Sequence, residues 1–241
     1  MSGIQQMLMG VGKPTSSWKL QGAWVSNLVT AFTSTVSLSR TPQIGEIIIA
    51  VLGFSVNKSL YPISSTISDN TGATGTWVYL TPFNAEGGLL TGVSEEVLRR
   101  IAYKVCTSAG SGGVAITCNS SGITAYVTAG LFSVNSPVGL STLNYQQSGT
   151  ADTGPKNPTS LTSFIPGYNS LCLLDVWYPN AGTYTKDPNW NTAWQGSGDI
   201  GTLATDFVGY TTIGGVNLSP SVSFGSGVCY FVTNCVEFHL P

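Results

Sequence analysis

The most apolar stretch of the chain, GEIIIAVLGFS, runs from Gly45 to Ser55 and sets the first constraint on the fold. It is too short to cross a bilayer, because a membrane-spanning helix needs about 20 apolar residues. A glycine stands near each end and β-branched residues are frequent, which favours a buried strand over a piece of core helix. Such a strand is expected to pack near another strand of the same kind.

A second stretch of this character, NSLCLLDVWYP, runs from Asn169 to Pro179. The segments after each stretch also repeat in the same order. The polar turn ISDNTGATGTWVYL in the first half corresponds to TYTKDPNWNTAWQG in the second, and the strand LRRIAYKV corresponds to ATDFVGYTTI. Each half then ends with a strand, a turn rich in Ser and Gly, and a longer apolar strand. The order of these matches predicts two similar halves, at about residues 43–138 and 166–239.

Alternation with a period of two residues dominates the chain and predicts an all-β fold. Each half holds only about four good strands, and a sheet of four strands cannot bury its own apolar face. Two small sandwiches in tandem are one solution. We favour a single antiparallel two-sheet sandwich of jelly-roll type with two pseudo-repeated halves and an extended N-terminal arm. The arm and its linker are residues 1–17 and the sandwich is residues 18–241. The only helical cue, VSEEVLRRIAYKV, is interpreted as a turn or helical turn that runs into a strand.

The charge content narrows the classes of partner. Charged residues are 8% of the chain, against about a quarter in a typical soluble protein, and the net charge is −2. Lys and Arg form no cluster beyond Arg99 and Arg100, so nucleic-acid binding is not expected. Because little net charge keeps copies apart, the composition favours a subunit of a larger assembly.

The N-terminus indicates where the chain is made, and the cysteines indicate which kinds of cross-link or metal site it lacks. MSGIQQMLMG has no basic start and no continuous apolar run, so synthesis in the cytoplasm without a signal peptide is expected, as is no insertion into a membrane. The five cysteines are widely spaced, and the chain has one histidine. This pattern fits neither a disulfide framework nor a zinc site, and predicts small buried side chains.

The order GEIIIAVLGFS, SDNTGATGTW, IAYKV, SGGVAIT and AGLFSVNSPV resembles a β-sandwich module of bacteriophage virion proteins and some bacterial surface proteins. The resemblance covers most of residues 43–138, with a looser echo at 166–239. It implies a structural setting in a virion, with no catalytic motif.

Catalytic chemistry finds little support in the residues. A nucleophilic site would need His239, the only histidine, on the last apolar strand. The carboxylates that could pair for glycoside cleavage are predicted to lie in or near turns as structural residues: Asp175, Asp187, Asp199 and Asp206. GSGG lacks the lysine of a phosphate loop and SDNTG lacks the ligands of a calcium loop. We therefore expect no enzyme, no cofactor and no metal.

Two candidate binding segments remain. Aromatic residues lie among amides and hydroxyls at Tyr184, Trp190 and Trp194, a pattern that suits glycan recognition; alternatively, Trp190 is a core residue. The N-terminal arm carries the apolar residues Ile4, Met7, Leu8 and Met9 ahead of the linker VGKPTSS. The arm is predicted to dock on a neighbouring protein, and its alternative is a disordered tail.

Together these observations predict a non-enzymatic, homo-oligomeric structural component of a bacteriophage virion that is attached by its N-terminal arm. A tail fibre, spike or adaptor is favoured. The alternatives are a capsid decoration protein and a glycan-binding adhesin module. The expected partners are copies of this chain and other virion proteins, with host cell-surface glycan as a further alternative.

Overall fold

The computed structural model describes the chain as β-strands joined by turns. The described residues are 16–28, 33–57, 66–69, 72–80, 83–85, 95–110, 115–119, 124–150, 161–178, 184–198, 204–220, 222–224 and 231–241, and they contain no helix. The strands are β1 (Lys19–Leu20), β2 (Val25–Leu28), β3 (Thr33–Ser37), β4 (Ile47–Asn57), β5 (Thr66–Asp69), β6 (Trp77–Tyr79), β7 (Phe83–Ala85), β8 (Glu95–Val105), β9 (Ala115–Asn119), β10 (Thr124–Ser133), β11 (Ser141–Thr150), β12 (Ser170–Tyr178), β13 (Tyr184–Lys186), β14 (Asn191–Gly198), β15 (Ala204–Thr211), β16 (Val222–Phe224) and β17 (Phe231–His239).

Two antiparallel sheets form the centre of the fold. The first has the order β1-β10-β4-β8-β6, with β2 also paired to β10 and β7 to β8; the second has the order β11-β17-β12-β15-β14. Their facing sides share one apolar cluster, whose buried members are Trp18, Trp24, Ile47, Ile49, Val51, Leu80, Ile101, Phe132, Leu171, Leu173, Val208, Val236, Phe238 and Leu240. The predicted all-β antiparallel sandwich is confirmed. Ile47, Ile49 and Val51 of the first apolar stretch lie in the same core as Leu171 and Leu173 of the second.

Each main sheet also carries a smaller layer on its outer face. The three-stranded sheet β3-β9-β5 packs on the first main sheet, and the pair β13-β16 packs on the second together with Leu161, Phe164 and Leu218. Because β4 is covered on both faces, every residue from Ile47 to Leu52 is fully buried. This double cover explains why that strand is apolar at nearly every position.

The two halves repeat the same strand order. β10-β4-β8-β6 in the first half corresponds to β17-β12-β15-β14 in the second, and the outer pair β9-β5 corresponds to β16-β13. In each half the chain passes twice from the main sheet to the outer sheet and back, at β4-β5-β6 and β8-β9-β10 and again at β12-β13-β14 and β15-β16-β17, as the connections of jelly-roll folds do. The pseudo-repeat inferred from the sequence is therefore a repeat of topology.

The interpretation of a helical turn at the start of β8 is wrong for the residues that the structure describes. Glu95 pairs with Asn57 and Val105 with Ile47, so the ladder between β8 and β4 is continuous from one end to the other. Pairing along a long buried neighbour outweighs the weak local preference of glutamate for a helix. The first two residues of VSEEVLRRIAYKV, Val93 and Ser94, lie outside the described residues.

One ion pair is buried between the two main sheets. Arg99 of β8 donates from Nε to Asp175 Oδ2 of β12 at 3.1 Å and from a second nitrogen to Oδ1, and Asn234 Nδ2 of β17 donates to Oδ2 at 3.0 Å. All three residues are fully buried. The prediction that Asp175 lies near a turn is therefore wrong, because its carboxylate is held by Arg99 in mid-strand. Asp206 likewise lies within β15, whereas Asp187 does form a turn.

The cysteines that the structure describes with their side chains are free and buried, as predicted. They are Cys106, Cys172 and Cys235. Burial raises the pKa of each thiol: that of Cys106 rises to about 11, and those of Cys172 and Cys235 rise further. Thiols of this kind are poor nucleophiles at neutral pH.

Candidate functional site

The chain enters the sandwich at one end of the strands, which we call the entry end. β1 runs antiparallel to β10, and Lys19 pairs with Ser133, the last residue of β10. The residues before Lys19 therefore join the fold where β10 finishes. The loops 134–140, 161–169 and 212–220 and the last residues, Leu240 and Pro241, lie at this same end, because Ser141 and Ser170 both pair with His239.

Asn169 fastens the two chain segments that meet at the entry end. Its carbonyl accepts the indole N–H of Trp18 at 3.2 Å and the backbone N–H of Leu240 at 3.2 Å, and its Oδ1 accepts the hydroxyl of Ser17 at 2.9 Å. The ring of Trp18 is 3% exposed and packs edge-on against Phe132. The predicted linker, VGKPTSS, is thus fixed to the sandwich at its last residue, Ser17.

An open cleft of about 480 Å³ lies beside this attachment point. It is lined by Ser17, Asn135, Ser136, Val138, Tyr168, Asn169, Leu240 and Pro241, so it presents amides, hydroxyls and apolar groups and no charged side chain. One wall is a tight turn in which Leu140 N–H donates to Pro137 O at 3.2 Å. Gly139 has φ +79° there, and a Cβ on it would stand 2.8 Å from Pro241 Cγ, so the turn requires glycine.

A buried carboxylate holds the opposite wall of the cleft. Glu237 is 1% exposed, and its Oε1 accepts Gly167 N–H at 2.8 Å and the Ser170 hydroxyl at 2.5 Å, while its Oε2 accepts Asn144 Nδ2 at 2.6 Å. Three donors compensate for burying one charge and fix the loop that carries Tyr168. This role was missed in the sequence, where the available signal is a lone acid within the apolar strand CVEFHL.

Glu237, Ser170 and His239 lie together, but their arrangement differs from that of a catalytic relay. Ser170 Oγ is 3.0 Å from His239 Nδ1, and Glu237 Oε1 is 3.9 Å from the same nitrogen. A relay places the serine and the acid on opposite ring nitrogens. Ser170 is also 1% exposed and bonds directly to the carboxylate. These contacts hold the loop before β12 in place.

Large apolar side chains are exposed around the cleft. Of the seven exposed large hydrophobic residues in the described part of the chain, five lie in loops at the entry end. They are Ile44, Val138, Ile165, Tyr168 and Ile213. The loops are packed together, since Gly45 lies against Pro137 and Gly214 against Tyr168. Exposed apolar side chains that cluster in this way mark a surface for interaction with another molecule.

The structure corrects one of the three predicted glycan contacts. Trp190 is 1% exposed, belongs to the core under the second outer layer, and donates its indole N–H to Ser219 O at 2.9 Å. Its ring faces are covered by protein and offer no platform to a sugar, so the core alternative holds for this residue. Tyr184 and Trp194 lie in β13 and β14, and their side chains are outside the part that the structure describes.

The predicted docking residues Ile4, Met7, Leu8 and Met9 also lie outside the described residues. The structure locates the point from which they extend. That point is Ser16 and Ser17, beside the cleft and among the exposed apolar side chains.

The Asp and Trp of the motif SDNTGATGTW have a structural role. Asp69 Oδ2 accepts the indole N–H of Trp77 at 2.8 Å and the ammonium of Lys104 at 2.7 Å, and Lys104 also donates to Ala73 O at 2.5 Å. These contacts close the turn between β5 and β6 onto β8. The lysine is the one in IAYKV, so two of the sequence motifs meet in one hydrogen-bond network.

Comparison with known proteins gave no match: no family model, no curated protein and no solved structure is similar to this chain. Within the ranges that the structure describes, no helix is long and apolar enough to cross a membrane. In those ranges no group of three or more His, Cys, Asp or Glu side chains is placed to hold a metal ion.

Proposed function

We propose that this protein is a non-enzymatic, homo-oligomeric structural component of a bacteriophage virion, attached through its N-terminal arm. The observation that carries the proposal is the entry end, where an arm with four apolar residues joins a surface of exposed apolar side chains and a cleft without charged side chains. Surfaces of this kind are used for protein contacts.

Two further observations support the proposal. The chain has few charges and a net charge of −2, so repulsion between copies is weak. The sequence also resembles a sandwich module of virion proteins over residues 43–138. Within the virion, a tail component is favoured, and a capsid decoration protein is the alternative.

Labelling of intact particles tests the location. An antibody raised against residues 18–241 and coupled to gold should label particles from a lysate. Label at the tail supports a fibre, spike or adaptor, and label over the head supports a decoration protein. Particles without label would overturn the virion assignment.

An arm variant tests the mode of attachment. The double variant Met7→Asp/Leu8→Asp introduces charge into the apolar arm and leaves the sandwich unchanged. We expect it to fold with an unaltered melting temperature and to be absent from purified particles. Incorporation at the wild-type level would show that the arm is not the attachment segment.

A further inference from the structure

We infer that the cleft at the entry end is the docking site for the N-terminal arm of a second copy of this chain, so that the protein assembles by exchange of arms. This inference rests on the proposed assembly function and names the partner of the arm. The arm and its linker are residues 1–17, and the apolar residues of the arm are Ile4, Met7, Leu8 and Met9.

The direction of the chain brings the arm to the correct end. Because β1 runs away from the entry end, residues 16–18 join the fold at that end. Ser17 lines the cleft and is held by Asn169, so the last fixed point of the arm is at the rim of its proposed site. The arms of two copies that approach through their entry ends would therefore each start next to the cleft of the other copy.

The chemistry and the size of the cleft suit this segment. The arm from residue 2 to residue 12 has no charged side chain, and neither does the cleft lining. The volume of about 480 Å³ is roughly three times the ~150 Å³ that holds one benzene ring, which leaves room for about three apolar side chains. Asn135 and Asn169 lie in the cleft and offer amide partners to Gln5 and Gln6.

The linker favours a neighbouring copy over the arm's own cleft. Seven residues lie between Met9 and Ser17, and the eight steps from one Cα to the next allow a span of up to about 26 Å when extended. Pro14 disfavours a helical conformation at Lys13, so the sequence next to Ser17 favours an extended linker. An extended linker carries the apolar residues away from the cleft that Ser17 itself lines, and toward a second molecule.

The test uses full-length chains in pairs. One variant, Met7→Asp/Leu8→Asp, disables the arm, and the other, Val138→Arg, places a charge at the cleft rim on a side chain that is 79% exposed. Val78→Arg is the matched control, because Val78 is an exposed valine of β6 that does not line the cleft. Circular dichroism and melting temperature establish that all variants are folded. Light scattering after size-exclusion chromatography then gives the molar mass in solution.

We expect wild type and Val78→Arg to have at least twice the 25.2 kDa of one chain, and each entry-end variant to have the mass of one chain. Mixing the two entry-end variants should restore association, but only to a dimer with one copy of each, because one working arm then meets one working cleft. A wild-type mass of 25.2 kDa, or association that persists in the arm variant, would overturn the inference. A mixture that stays monomeric would mean that the working arm of one copy does not dock in the working cleft of the other, and would also overturn it.

Particle incorporation separates this inference from the proposed function. If wild type is monomeric in solution but enters particles in an arm-dependent way, the arm binds another virion protein. The inference is then overturned, and the attachment to the virion through the arm stands. If the mixture forms the dimer and no particle contains the protein, the exchange of arms stands and the virion assignment fails.

Discussion

The two Trp-bearing turns occupy the same place in the two halves, yet they hold their tryptophans differently. In the first half Trp77 is partly buried and donates to the carboxylate of Asp69, which also binds Lys104. In the second half Trp190 is fully buried and donates to a backbone carbonyl, that of Ser219. The second turn has its own lysine, Lys186, whose ammonium donates to Trp190 O.

This difference shows what the repeat consists of. Strand order, an apolar main sheet and a tryptophan at the turn recur, whereas the polar partners of the tryptophan change from a charged side chain to the backbone. The first turn is therefore held by electrostatic contacts, and the second by packing. Matched substitutions in the two halves should separate these two sources of stability.

Truncating the two tryptophans should give the largest contrast. Trp190→Ala removes a ring that is 1% exposed from the core under the second outer layer, and we expect a loss of about 3–5 kcal/mol in the free energy of unfolding. Trp77→Ala should cost about half as much, because its ring is only partly buried. Denaturant unfolding of both variants measures this. Equal costs would mean that the two halves hold their tryptophans equally strongly.

The next largest effect is expected where the halves meet, at Arg99 and Asp175. Arg99→Met leaves the buried Asp175 carboxylate without its guanidinium partner, which should cost about 3 kcal/mol. Because two apolar residues can replace a buried ion pair, Arg99→Met/Asp175→Leu should recover most of this loss. Chemical denaturation of the two single variants and the double variant forms a double-mutant cycle, which gives the coupling energy between the two side chains. A double variant as unstable as the sum of the singles would mean that the pair is not coupled.

The sequence was sufficient to predict the all-β class, the sandwich and the repeat, because apolar runs such as Ile47 to Leu52 report burial directly. It was not sufficient to place Asp175, whose sequence neighbours are no different from those of a strand end. What decides its position is Arg99, on another strand and in the other sheet. For Trp190 the sequence left two alternatives open, a glycan contact and a core residue, because an aromatic residue among amides has the same local sequence whether its ring faces a ligand or Ser219. The entry end depends on contacts between segments as distant as Ser17 and Asn169, which no local pattern contains.

The electrostatic contacts of the first turn lead to a third prediction. Asp69→Ala removes an acceptor that Trp77 and Lys104 share, and leaves a lysine that is 3% exposed without its carboxylate. We expect a loss of about 2 kcal/mol in the free energy of unfolding. The matched change Lys186→Met should cost less than about 1 kcal/mol, since it removes one bond to a carbonyl at a partly exposed site. Thermal unfolding of both variants measures the two losses of stability, and Thr185→Ala, a change next to Lys186, is the control. A larger effect at Lys186 would reverse the assignment of electrostatic contacts to the first turn.

The smallest expected contrast is in the pKa and the reactivity of the buried thiols of the two halves. Burial raises the pKa of Cys106 to about 11, and the nearby Lys104 limits that rise. Burial raises the pKa of Cys172 still further, and the neighbouring Cys235 and Glu237 add to the rise. The stability that Cys106 contributes as a neutral thiol is therefore complete below pH 9 and is lost as the pH rises to about 11.

We accordingly expect iodoacetamide to label Cys106 before Cys172 and Cys235 as the pH is raised. Peptide mass spectrometry measures the order, and the unfolded chain, in which all three should react at similar rates, is the control. Given a pKa of about 11, about one Cys106 side chain in a hundred is a thiolate at pH 9. The three cysteines should therefore differ only in their rate of labelling. This difference in rate will be small beside the effects of the other variants on the free energy of unfolding. Labelling of Cys172 first would mean that the second outer core opens more readily than the first, which contradicts the view that the second half is held by the tighter packing.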